Sequence, residues 1–435
     1  MSVTSAASRR TPDPRQPWQP PQRPEESAIA LPQPRQGGLA AACGRRSVLV
    51  VCLAWQMNAA SGSVKAAAAL AVGLAGAGHR AVIVTAAPAM LGPRLEGVVV
   101  EQIDLPVSLP CPPDTLREAI SVGAWGLQRQ LRSLIDRHDA DTVLCTDALW
   151  GLGRLRMNLP DGVCRVLAVE RLPDDRDAIA LTRADIVLAP TAAVLDAAHQ
   201  RGWDTSTWGV VPHALLHEPP EPNPVSVLGR LQAGDLRILS AVGDTSNGIV
   251  ALLRAARHQG STVSSCVMRV AAATHYLQSG PAGIVLAETC RRQVDLAAHM
   301  SWSGGLPWHA VPAWLSGAAI VITPSTGSLG MVAVEAMAVG VPVIGYRSGN
   351  LPYLIGPAQR ERALLAEPQH GPRALLNLAR ALLGSPRAYC EAAQAAYEQS
   401  RLFTKGRITR RFLAAVPARG TLPHDDRTPT HVHAH

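Results

Sequence analysis

Residues 323–355 read TPSTGSLGMVAVEAMAVGVPVIGYRSGNLPYLI, and a single carboxylate, Glu335, stands in the apolar run MVAVEAMAVG. A carboxylate among such neighbours needs hydrogen-bond donors. Upstream lies a small-residue loop that includes Gly327 and Ser328, and a helix is expected over residues 329–339, stopped by Gly340. The first-turn N–H groups of this helix, from Leu329 through Gly330 and Met331 to Val332, have no intrahelical acceptor. With the helix dipole they form an anion site suited to a diphosphate. Gly327 and Gly330 let the backbone approach a ligand closely, and Thr326 or Ser328 is placed to cap the helix. Glu335 lies roughly 10 Å further along the axis, about the span from a diphosphate to a ribose. Its carboxylate is suited to accept from two vicinal hydroxyls. The alternative is a glutamate satisfied by nearby backbone N–H groups.

An α/β framework has to position these groups. Residues 47–55 (SVLVVCLAW) form a continuous apolar run, as a strand buried on both faces requires. A small-residue loop with Ser61-Gly62-Ser63 follows, then a helix over 65–77 with Gly78 at its end, then a strand over 80–85. That order is a βαβ unit and implies a parallel sheet. Residues 115–137 carry Leu116, Ile120, Leu127, Leu131, Leu134 and Ile135 at helical spacing. Arg117, Arg129, Arg132 and Arg137 lie mostly off that stripe, facing either solvent or an anionic membrane. Further strands are expected over 142–145, 165–169, 185–189 and 210–211. Residues 216–226 (LHEPPEPNPVS) read as a linker, and a second series of strands opens at 236–242 and includes 318–323 and 341–345. Two parallel-sheet domains place a ligand in the cleft at the carboxyl ends of their strands.

Composition bounds the function. The chain has 435 residues, 47% hydrophobic and 17% charged, so its bulk is globular. Half of the net charge of +8 sits in residues 1–46, which leaves too little elsewhere to indicate nucleic-acid binding. The longest unbroken apolar run, 66–78, is 13 residues, short of the ~20 a membrane span needs. No apolar stretch follows the N-terminal charges as a secretory signal would demand. The eight cysteines include no C-x-x-C pair, which points to free thiols in a reducing compartment. The expected location is therefore cytoplasmic, with peripheral contact at the inner face of the membrane left open. Residues 1–44 and 417–435 read as disordered tails, and the alternating His431, His433 and His435 are either a loose metal site or solvated.

The segment Glu335-Ala336-Met337-Ala338, Gly340 and Pro342-Val343-Ile344, preceded by Pro324-Ser325 and Gly330, resembles the signature of the retaining GT-B glycosyltransferases of family four, glycosyl transferases group 1. The opening strand, the Gly62 loop and Gly78-His79 are similar to that family's first βαβ unit. Ala184-Asp185-Ile186-Val187, Val211-Pro212-His213 and Phe403-Thr404 fit further segments in order. The resemblance implies two Rossmann-like domains facing across a cleft. Their expected bounds are 45–217 on the acceptor side and 228–398 on the nucleotide-sugar side, with a linker at 218–227 and a closing helix at 399–416. It implies transfer of a sugar from a nucleotide sugar to a hydroxyl acceptor with retention, with no required metal or cofactor. The acceptor is left open among glycan, lipid and small molecule.

The same resemblance assigns roles and exposes departures. It gives Glu335 the ribose, Gly62 and Ser63 a backbone approach to the donor, and Asp147 the acceptor hydroxyl, with a helix N-cap as the alternative for Asp147. The family's phosphate-holding Arg and Lys follow the first strand of the second domain. Here Gly243 is kept, but Asp244 and Asn247 stand where those cations would be. The sugar-contacting carboxylate falls on Gly327, and a later glutamate is missing from Gly349-Asn350-Leu351-Pro352-Tyr353. Losing two charged hydrogen bonds weakens phosphate binding by roughly 10²- to 10⁴-fold unless other groups replace them. The candidates are Arg347, Arg254, Arg269 and Lys65. The alternative function is a catalytically inactive GT-B protein that partners or regulates another glycosyltransferase.

Overall fold

The computed structural model describes residues 44–54, 62–87, 95–109, 111–146, 152–155, 157–172, 178–240, 248–259, 268–273, 281–326, 330–361 and 364–417. Nearly all of the two expected tails, with their histidines, lies outside these residues.

The first lobe is built on β1 (Ser47–Val51), β2 (Arg80–Thr85), β3 (Val98–Gln102), β4 (Thr142–Cys145), β5 (Cys164–Ala168), β6 (Ile186–Ala189) and β7 (Trp208–Val210). They lie in the order β3-β2-β1-β4-β5-β6-β7, every neighbouring pair parallel. A parallel sheet needs cover on both faces, and the alternation along β1 shows how it is met. Val48 and Val50 pack with helix α1 (Gly62–Gly76). Leu49 and Val51 pack on the other face with α2 (Pro113–Val122) and α3 (Ala124–His138).

The helix expected over 115–137 is interrupted. Gly123 ends α2 and precedes α3, and a Cβ there would lie 3.0 Å from the Ala119 carbonyl oxygen and 3.2 Å from Pro106. The apolar stripe survives the break because both helices cover the same sheet face. Of the arginines on the outer side, Arg117, Arg132 and Arg137 pair with Asp114, Asp136 and Glu101, and Arg129 stacks over Trp125.

After β6 comes α4 (Ala192–Gln200), and after β7 an extended segment leads to α5 (Pro224–Ala233). The proline-rich run is thus only partly a linker. Asn223 caps α5 by accepting from the amides of Val225 and Ser226, and Pro224 fits the first helical position, where no N–H is needed.

The second lobe is built on β8 (Leu236–Ser240), β9 (Met268–Ala273), β10 (Met300–Leu306), β11 (Ile320–Thr323), β12 (Val343–Tyr346) and β13 (Leu365–Ala366). Its order is β10-β9-β8-β11-β12-β13, again parallel throughout. The helices between and after these strands are α6 (Ile249–Gln259), α7 (Pro281–Asp295), α8 (Val311–Ser316), α9 (Met331–Ala338), α10 (Leu351–Leu354), α11 (Gly356–Glu361), α12 (Gly371–Leu383), α13 (Pro386–Ser400) and α14 (Lys405–Ala415).

Helix α14 leaves the second lobe and packs on the first. Ile408 and Phe412 join the core around β1 and α1, and Gly73 of α1 leaves the space that Thr409 occupies. The chain is anchored there by Arg46, whose guanidinium meets Asp141, Thr142 and the Val416 carbonyl in a buried network. The lobes also exchange core residues: Trp308 sits in the first-lobe core and Leu215 in the second.

Candidate functional site

Strand β11 runs into Pro324, and after residues 327–329, which lie outside the described set, Gly330 opens α9. The cap differs from expectation. It is Gly330 itself, at φ +75°, a residue with no side chain to cap the first turn. This backbone region suits glycine, and a Cβ would lie 2.2 Å from Leu354 Cδ1. The amides at Met331 and Val332 therefore open the helix. Met331 is buried and Val332 partly so.

Glu335, in the second turn of α9, is 6% exposed. Among the described residues its partner comes from the other lobe. Lys65, in the first turn of α1, places its ammonium 2.6 Å from Oε1 and 2.7 Å from Oε2. Lys65 is 1% exposed. The pair joins residues 270 positions apart and links the first turn of α1 to the second turn of α9. Gly62 and Ser63, expected near the same ligand, begin α1 beside Lys65.

Other polar groups gather around this contact. Lys405, at the start of α14, donates to the Leu216 carbonyl and lies 3.3 Å from Glu218. His217 is exposed and edge-on to Trp308, ring centres 6.2 Å apart. Desolvation lowers its pKa, Glu335 opposes, and Lys405, Lys65 and His309 lower it further. The two lysines of the chain thus act on one neighbourhood with two histidines and Glu335. A second polar contact crosses between the lobes where the Thr191 hydroxyl donates to Asn350 Oδ1, both residues buried.

Arg347 is elsewhere engaged. It is 44% exposed and holds Glu367 at 2.9 Å. Arg269 holds Asp235 at 2.9 Å, and Arg254 is exposed on α6. Asp147, Gly243, Gly327, Ser328 and Leu329 lie outside the described residues.

A cavity lies at the carboxyl ends of β4, β5 and β6, walled by Ser63 and Leu70 of α1, Thr146, Glu170, His213 and Ile408. Glu335 is not among its walls. His213 Nε2 is buried there without a hydrogen-bond partner, and burial lowers the imidazole pKa to about 4, so the ring is neutral. Among the described residues no group of three or more His, Cys, Asp or Glu is arranged to hold a metal ion, and no helix is long and apolar enough to cross a membrane.

The overall fold recurs in known structures. Sucrose-phosphate synthase from Thermosynechococcus elongatus superposes with a TM-score of 0.67 at 16% identity, over 85% of this chain and 97% of that one. Anabaena HepE in complex with UDP and glucose gives 0.62 at 16% identity, over 85% and 98%. WaaG, a glycosyltransferase involved in lipopolysaccharide biosynthesis, gives 0.57 at 13% identity, over 85% and 98%. The fold is GT-B. Within this GT-B chain, residues 286–401 match the family described as glycosyl transferases group 1, a stretch that includes α9 and Glu335. No curated protein matches the chain by sequence. The Lys65–Glu335 contact joins the two lobes of the GT-B fold, so the sequence signature of one lobe finds its counter-charge in the other.

Proposed function

We propose that this GT-B protein is a glycosyltransferase that moves a sugar from a nucleotide-sugar donor to a hydroxyl acceptor, with retention of anomeric configuration. The observation that carries the reading is Glu335, a buried carboxylate at the contact between the lobes, inside the stretch that matches glycosyl transferases group 1.

In this reading the amides of Gly330, Met331 and Val332 face the diphosphate, and Gly327, Ser328 and Leu329 bind the donor with them. A helix N-terminus supplies about 0.3–1 kcal/mol, at best ~2, toward an anion. Gly62 and Ser63 bring a second helix N-terminus from α1, and the two act together on the charge that develops as the diphosphate leaves. Glu335 accepts from the ribose hydroxyls. Two contacts to Lys65 leave lone pairs on a carboxylate that has about four. Asp147 orients the acceptor hydroxyl, while Gly243 and Arg347 border the donor. The acceptor lies on the first-lobe side, and the Arg-bearing face of α2 and α3 is its route to a membrane surface if the acceptor is a lipid. HepE, with UDP and glucose bound, supports the choice of donor class.

A second reading is a GT-B protein without catalysis that regulates a partner transferase. It draws on the Lys65 ammonium, which holds both oxygens of the carboxylate a ribose would use. Release of nucleoside diphosphate from a panel of UDP-, GDP- and ADP-sugars, with the product anomer read by NMR, separates the two. The enzyme reading expects turnover that falls 10²-fold or more in Glu335→Gln. Failure of every donor to bind to the folded protein refutes it.

A further inference from the structure

The donor site of this chain lacks the cations expected in its own lobe, since Asp244 and Asn247 stand in their place. Arg347 and Arg269, which were candidates to replace them, each hold a carboxylate, and Arg254 points outward from α6. Lys65 also holds a carboxylate, but that carboxylate is Glu335 itself, on the helix of the expected donor site. This lysine is the one charged residue of α1, otherwise built of Ala, Val, Leu, Gly and Ser. Its ammonium crosses to the other lobe and ends on α9.

Burying such a pair costs desolvation that its mutual attraction often fails to repay, so stability alone does not account for it. Glu335 is the fifth residue of α9, so its Cα lies about 6 Å along the axis from the first residue of the helix, shorter than the roughly 10 Å expected for a helix opening at Leu329. A lysine carries its charge on a flexible four-carbon stem, and rotation of that stem covers much of this gap while α1 stays in place.

We infer that Lys65 is the cation that binds the donor diphosphate, supplied across the cleft by the first lobe, and that it shares Glu335 with the ribose. The inference rests on the nucleotide-sugar reading above. Ribose hydroxyls take up the carboxylate while the ammonium turns to the phosphate oxygens. The donor thus exchanges partners with a pair already formed, and no charge is left bare. Donor recognition then requires both lobes together, because the cation and the carboxylate belong to different ones.

Two measurements on the full-length protein test this. The first is isothermal titration of UDP, GDP and ADP and of their nucleosides, comparing Glu335→Gln with Lys65→Met/Glu335→Gln, a pair of variants in which no buried carboxylate is stranded. The expected result is a loss of about 10- to 100-fold in diphosphate affinity on removing Lys65, with nucleoside affinity changed by less than about 2-fold. Lys65→Arg in the same Glu335→Gln background restores the diphosphate affinity. The second uses the wild-type protein labelled with ¹⁵N-lysine, whose two lysines give two side-chain signals, assigned with Lys405→Arg. The diphosphate that binds must shift the Lys65 signal, and its nucleoside must shift it much less. Equal diphosphate affinity in the two variants, or a bound diphosphate that leaves the Lys65 signal unmoved, overturns the role of Lys65 alone. Absence of diphosphate binding to folded wild type overturns the nucleotide-sugar reading and this inference with it.

Discussion

Replacing Lys65 with methionine strands the Glu335 carboxylate in a place with almost no access to water. The two side chains are 1% and 7% exposed, and both carboxylate oxygens lie within 2.7 Å of the ammonium. Removing one partner of a buried pair costs roughly 3–5 kcal/mol, because the remaining charge loses its compensation. Glu335→Gln strands the ammonium instead and falls in the same range. The double variant Lys65→Met/Glu335→Gln removes both charges and keeps the volume, so it should recover most of the loss, within about 1–2 kcal/mol of wild type. A lobe of 150–250 residues shifts by about 2–4 °C per kcal/mol, which puts each single variant roughly 6–20 °C below wild type. Thermal unfolding followed by circular dichroism, with urea titration as a second scale, reads the cycle. Two transitions are admissible, since the lobes have separate cores, and the first to melt must carry the shift. Small, additive losses, each under ~1 kcal/mol, would refute the reasoning, because they would mean that the carboxylate finds water when the lysine is gone.

Other consequences follow from the same physics. Gly330→Ala forces an L side chain into φ +75° and into Leu354, at a cost of order 1–3 kcal/mol; chemical denaturation reads it, and a variant as stable as wild type would contradict the described turn. His213 has its pKa lowered to about 4 by burial, so the unfolded chain binds the extra proton first as pH falls. Stability is therefore lost between pH ~6.5 and ~4, by up to about 3 kcal/mol, and recovered as pH rises. His213→Gln should flatten that part of a stability-against-pH curve.

Much of the framework is legible in the sequence because its signals are local. The run SVLVV, the helix between Gly62 and Gly78, and the alternation of strand and helix along both halves each reflect a hydrophobic period that a few neighbouring residues carry. The EAMA-x-G-x-P signature, too, lies within one strand–helix–strand unit. Local pattern was weaker at boundaries. The break at Gly123 follows from its close approach to Pro106, Pro224 opens a helix where the prolines suggested only a linker, and α9 is capped by Gly330 where a hydroxyl seemed better suited.

By itself the sequence determined that the chain folds as paired parallel sheets, and that an isolated carboxylate sits in the helix after one of their strands. Which group satisfies that carboxylate was decided only in three dimensions. A lysine in a run of alanines has no local sign of a partner, and its contact with Glu335, 270 residues away, exists because the two lobes bring the first turn of α1 within a lysine's reach of the second turn of α9. Electrostatic pairing depends on distance through space, and hydrophobic periodicity carries no information about that distance between separate lobes.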